Sequence, residues 1–127
     1  MAQIRTGQIG TNGDAFGTWT PTITASTGAF TAVSAAGRYQ QLGKITFFTV
    51  DITVTTVGTA TGTIFSLPTT HRSGIGFIAS GREDGSTGAM LQSKLQSTTT
   101  ASVTNVTNNL TPANGHVYRI AGFYEVA

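Results

Sequence analysis

The chain has 127 residues, no cysteine, 9% charged residues and a formal net charge of +2, where an average soluble domain carries about 25% charged residues. That length fits one domain with a real hydrophobic core, and the lack of cysteine excludes disulfides, thiolate metal sites and cysteine nucleophiles together. The seven cations, Arg5, Arg38, Lys44, Arg72, Arg82, Lys94 and Arg119, form no run or stripe, which argues against nucleic-acid binding through phosphate neutralisation.

Thr (25 residues) and Gly (16 residues) take the place of the missing charges. β-branched Thr suits strands and Gly suits turns, so many short strands joined by tight loops are expected, with little helix. Residues 1–17, MAQIRTGQIGTNGDAFG, are polar and Gly-rich with isolated Ile4, Ile9 and Phe16, and are expected as an extended arm. Alternation then begins: Trp19, Pro21, Ile23 and Ala25 fall on one side of an opening strand and the intervening threonines on the other. Short strands are expected at Phe30–Val33 and at Gly37–Leu42, followed by a tight turn at Gly43 and Lys44.

The strongest element is KITFFTVDITVTT, with Phe48, Val50, Ile52 and Val54 on one face. The adjacent Phe47 and Phe48 break the two-residue period, which predicts a bulge or a strand covered on both faces, the second cover being easily supplied by a partner chain. TIFSL, GIGFIASG, AMLQSKL, TASVTNV and HVYRIAGFYEV follow, making eight or nine strands. Regular short strands of this kind predict an antiparallel β-sandwich, jelly roll or barrel. No stretch reaches the roughly 18 apolar residues that span a bilayer, and the first residues lack an apolar signal region. Neither membrane insertion nor export is therefore expected.

Catalytic patterns are missing. The acids are Asp14, Asp51, Glu83, Asp84 and Glu125, and only Glu83 and Asp84 are close in sequence. Neighbours in an extended segment point to opposite faces, so this pair suits a polar hairpin tip better than acid–base catalysis. His71 and His116 have no ligand spacing to a carboxylate or to each other, which predicts solvated loop histidines, no metal and no cofactor. GIGFIA has the letters of a dinucleotide fingerprint, but SGREDGSTG follows it instead of a helix. The Asn105 and Asn109 glycosylation triplets are chance matches in so Thr-rich a chain.

The order of segments WTPTI, GRYQQLGKITFF, ITVTTVGTATGTIFSLPTT and AGFYEV resembles the C-terminal domain of bacteriophage and prophage tail fibres and tailspikes. The resemblance runs from about Trp19 to the end. Its most specific piece is the Gly-Arg-Tyr hairpin with its Gly-Lys turn, followed by the Thr-rich strand and the Leu-Pro-Thr-Thr exit. It implies a jelly-roll-like β-sandwich over residues 18–127 and a homotrimer around a fibre axis. It also implies a virion location, synthesis in the host cytoplasm, and a role in recognising a polysaccharide or protein of the bacterial surface. The shaft and particle-attachment parts of such fibres do not occur in these 127 residues, so the resemblance implies a fragment or a small protein similar to the tip.

Trp19, Tyr39, Phe48, Tyr118 and Tyr124 sit in strand patterns and are expected in the core or a subunit interface. Loops carry function on rigid β scaffolds, so the ligand-binding candidates are His71, Arg72, Arg82, Glu83, Asp84, Asn108, Asn109, Asn114 and His116. Simple up-and-down alternation gathers the loops near Gly58, Asp84 and Asn109 at one end and those near Gly43, Arg72 and Thr98 at the other. The Asp84 and Asn109 end is the expected distal face. Besides a receptor-binding fibre tip, two readings stay open. A trimerisation domain without a receptor predicts assembly but no cell binding, and a stand-alone carbohydrate-binding module predicts a monomer.

Overall fold

The structure, a computed structural model, describes residues 16–74 and 76–127. The expected arm therefore lies outside the described residues as far as residue 15. The described chain is all-β with no helix. Its strands are β1 (Gly17–Trp19), β2 (Ile23–Thr24), β3 (Ala32–Leu42), β4 (Ile45–Thr56), β5 (Thr63–Ser66), β6 (Phe77–Glu83), β7 (Met90–Leu95), β8 (Thr100–Asn105) and β9 (Val117–Glu125). All pair antiparallel in one sheet of order β1-β3-β4-β9-β6-β7-β8-β5-β2, curled into a half-barrel.

Two-residue alternation decides which side chains face the hollow of that curl. On β4, Thr46, Phe48, Val50, Ile52 and Val54 point inward and are buried. The four apolar ones meet Phe65 of β5, Ala79 of β6, Leu91 of β7, Ala101 and Val103 of β8, and Tyr118, Ile120 and Tyr124 of β9 in one core cluster. The long register of β4 against β3 and β9 makes this strand the spine of the sheet.

Where two short strands are expected near Phe30–Val33 and Gly37–Leu42, a single strand, β3, runs through, with an irregularity between Ala32 and Val33. Gly37, the expected start of the second strand, lies inside β3 and is a contact. A Cβ on it would lie 2.4 Å from the Trp19 ring, so glycine is what lets the indole settle on the strand. The Gly43–Lys44 turn forms as expected, with Gly43 at φ +60. No register shift occurs at Phe47 and Phe48: Phe48 is inward, while Phe47 is outward and 40% exposed.

The expected opening strand over Trp19–Ala25 is divided. Its first part, β1, pairs with β3 at one margin of the sheet, and its second, β2, pairs with β5 at the other. Only Thr20, Pro21 and Thr22 separate them. Pro21 lacks an N–H and therefore falls between the two ladders. The Trp19 Nε1–H donates to the Ser66 carbonyl at 3.1 Å and the Thr22 N–H to Ser66 Oγ at 2.8 Å, so this segment straps one margin to the other.

The two ends assort as alternation predicts. At one, Val57 N–H donates to Asn114 Oδ1 at 2.7 Å and Val117 N–H to Glu83 Oε2 at 2.8 Å. At the other, Val126 N–H bonds the Lys44 carbonyl, Arg72 N–H the Glu125 carbonyl and His71 N–H the Thr98 carbonyl. The Leu-Pro-Thr-Thr exit is clamped here. The Tyr124 hydroxyl donates to the Thr69 carbonyl at 2.8 Å, and Thr69 Oγ1 lies 2.8 Å from both that hydroxyl and Thr46 Oγ1.

Candidate functional site

The convex face of β7 and β8 carries the residues that alternation turns away from the core. Leu91 and Ser93 of β7 are buried, and Lys94 opposes outward-facing Ser102 of β8. Ser93 spends its hydroxyl inside, donating to the Ser102 carbonyl at 2.9 Å. Outside, Lys94, Gln96, Ser102 and Thr104 contribute to an open groove of about 350 Å³, at the lower end of the roughly 300–1,000 Å³ found for small-ligand sites.

One wall is the turn that follows β8, and Asn105 builds it. Its Oδ1 accepts from Thr107 N at 3.0 Å, Thr107 Oγ1 at 2.8 Å and Asn109 N at 2.9 Å, while its Nδ2 donates to the Asn109 carbonyl at 3.4 Å. These bonds force a left-handed turn at Asn108, whose φ of 60 is the single positive value for a non-glycine among the described residues; Asn tolerates that region better than most side chains. Asn108, Asn109, half-buried Leu110 and Thr111 form this wall, and Ser26, Thr61 and Gly62 stand opposite. Gly62 lets the two segments approach there, since a Cβ would lie 2.3 Å from Ser26 Oγ and 2.9 Å from Ser26 Cβ.

The groove's hydrogen-bonding capacity is largely unspent. Among the described residues, the side chains of Lys94, Gln96, Thr104, Asn108, Asn109 and Thr111 take no part in the intramolecular hydrogen bonds, whereas Ser102 donates to the Lys94 carbonyl and Thr61 to the Thr27 carbonyl. No carboxylate lines the groove. Amides and hydroxyls can each offer donors and acceptors, and Leu110 adds an apolar side. Such a surface can hold a polyhydroxylated ligand through many individually weak bonds.

Asn108 and Asn109 are the two sequence-nominated residues that line this groove. Arg72 lies at the opposite end, its Nε 2.8 Å from Glu125 Oε1. Arg82 and Arg119 flank Asp84, with Nε–Oδ distances of 3.4 and 3.2 Å. Asn114 uses its Oδ1 on Val57 N. His71 and His116, expected as solvated loop residues, are instead 4% and 6% exposed. The His71 ring sits against two carbonyls, Nδ1 to Arg72 at 2.6 Å and Nε2 to Ser97 at 2.5 Å. His116 Nδ1 lies 2.9 Å from the Tyr118 hydroxyl, and burial pushes that phenol's pKa up. Polar loops near a sheet end can be drawn in where orphaned backbone carbonyls need a partner.

Glu83 and Asp84 do point to opposite faces, but Glu83 is not a solvated tip residue: it is 0% exposed. Oε1 accepts from Ser86 N at 3.0 Å, Thr87 N at 2.6 Å and Thr87 Oγ1 at 2.8 Å, and Oε2 from Gly85 N at 2.7 Å and Val117 N at 2.8 Å. Burial alone would raise this carboxyl's pKa; the backbone donors outweigh it and hold the group well below the usual carboxylate range. With every oxygen occupied, Glu83 organises the β6–β7 hairpin and is unavailable to a ligand.

Sequence reasoning missed Lys94, Gln96, Ser102 and Thr104 by placing binding in loops. The signal was present: AMLQSKL and TASVTNV alternate, and the middle of their outward stripes, Gln92, Lys94, Ser102 and Thr104, is polar, with exposed Met90 and Val106 at one end. The same alternation leaves Phe47 and Phe123 paired on the convex face of β4 and β9, with centroids 5.8 Å apart. Phe123 is 59% exposed, and Leu42 is exposed on the same face. Comparison with protein-family models, curated proteins and solved structures finds nothing that matches this chain.

Proposed function

We propose that this chain is a receptor-binding tip domain of a bacteriophage or prophage tail fibre or tailspike, a non-enzymatic virion module that attaches to bacterial surface polysaccharide. The observation that carries the reading is the β7–β8 groove, a preformed surface of unspent amides and hydroxyls with one apolar side. Sugars present dense hydroxyls and apolar ring faces, which such a surface matches. The Trp19-to-Ala127 resemblance to fibre tips supplies the biological setting.

A two-layered, jelly-roll-like packing and a homotrimer belong to the same proposal. The exposed Phe47 and Phe123 pair supports a subunit contact, since aromatic surface on a convex sheet gains by being covered. Three copies would multiply the affinity of one shallow groove. The test is light scattering of the chain across a dilution series, together with its binding to immobilised polysaccharides from bacterial surfaces. A dilution-resistant three-chain mass with polysaccharide binding is expected. A trimer that binds none would favour a pure assembly domain, and a monomer that binds would favour an isolated carbohydrate-binding module.

A further inference from the structure

Charge is scarce in this chain, so the place where a charge goes unpaired carries information. Arg72 pairs with Glu125, and Arg82 and Arg119 with Asp84. The Arg38 guanidinium lies 5.3 Å from the Phe16 ring centroid, and Lys44 Nζ is 3.5 Å from the Ala127 carbonyl. Lys94 is the exception among the cations: among the described residues its ammonium has no ion pair, hydrogen bond or ring contact, and the other charge without such a partner, Asp51 of β4, lies outside the groove. It is also the single charged side chain in the groove, and its cross-strand neighbours are Ser102 and Phe77.

The geometry points to an acidic saccharide as the ligand of this groove, with Lys94 holding its negative group while Asn108, Asn109, Gln96 and Thr104 engage the hydroxyls. This rests on the polysaccharide-binding reading and narrows it. A neutral sugar would leave the ammonium to water and give the groove no use for it. A sugar bearing one negative charge forms a charge-assisted bond there, stronger than the neutral bonds around it. One lysine matches one negative charge, such as a sugar carboxylate or a phosphodiester linking sugars. No neighbouring carboxylate competes with either. The ligand charge is therefore read by Lys94, and the sugar's identity by the amides and the fixed turn at Asn108.

The test uses the full chain against a panel of purified bacterial surface polysaccharides, each displayed native, after carboxyl reduction, and after hydrogen fluoride treatment to cleave phosphodiesters. Binding should be confined to acidic polymers, be lost in one of the two treated forms, and weaken as sodium chloride screens the pair. Lys94→Met, which keeps the apolar stem, should weaken binding about tenfold or more, and Lys94→Arg should retain most of it. Circular dichroism of both variants shows whether the fold is intact. Equal binding to native and both treated polymers, or undiminished binding by a folded Lys94→Met, would overturn the acidic-ligand inference and leave polysaccharide binding standing. No binding to any polymer would overturn the reading beneath it.

Discussion

At the scale of single residues, the strongest constraint is on Glu83. Its carboxylate is surrounded by N–H and O–H donors and nothing else. A glutamine there must place an amide N–H against backbone N–H groups whichever way it is turned. Glu83→Gln should therefore cost about 2–4 kcal/mol at pH 7, in keeping with the loss of charge-assisted bonds and the strain of opposed donors; urea denaturation measures it. The pH dependence has a definite sign. The folded carboxyl's pKa lies below its ordinary value of 4.5, so ionised Glu83 stabilises fully above that value and progressively less as pH falls toward the folded one. The variant lacks this acid-dependent contribution, and its stability curve should approach that of the parent below about pH 4. A parallel pair of curves down to pH 3 would contradict this account.

At the scale of elements, the groove depends on a turn that a single side chain organises. Asn105 ends β8 and folds the chain back through three bonds to its Oδ1. In Asn105→Ala those donors return to water, so the stability cost should stay near 1–2 kcal/mol. Polysaccharide binding should fall further than stability does, because Asn108 and Asn109 lose their fixed positions. Binding isotherms beside urea curves separate the two effects. The outward polar residues Lys94, Ser102 and Thr104 of β7 and β8 were readable from alternation, but the loop that walls them was not. A left-handed Asn108 is a consequence of bonds made by a residue three positions earlier, and no local pattern announces it.

At the scale of the whole molecule, the chain separates its faces. The concave side of the sheet holds the core, the β7–β8 flank carries the polar groove, and the β4–β9 flank shows Phe47 and Phe123. If the latter pair forms the subunit contact, Phe47→Ser with Phe123→Ser should reduce the light-scattering mass to that of one chain. The thermal unfolding of that single chain should stay cooperative, since neither ring belongs to the core cluster. An unchanged mass would place the contact elsewhere on the surface.

The sequence by itself determined the all-β, antiparallel class. Period-two alternation, Thr-rich strands and Gly turns are local properties of the backbone and solvent, and they located β4 through β9, the Gly43 turn and the grouping of loops at two ends. Three matters were left to tertiary structure. Whether Gly37 begins a strand or lies within one beneath the Trp19 ring depends on a segment nearly twenty residues away. Whether a polar residue is solvated or buried depends on the partners the remaining fold offers it, which are carbonyls for His71, N–H groups for Glu83 and the Tyr118 hydroxyl for His116. And a groove exists only when distant segments, here Ser26, Thr61, Lys94 and Asn108, converge in space. Pairing across a sheet fixes that convergence, and it is made of long-range contacts that no stretch of sequence carries alone.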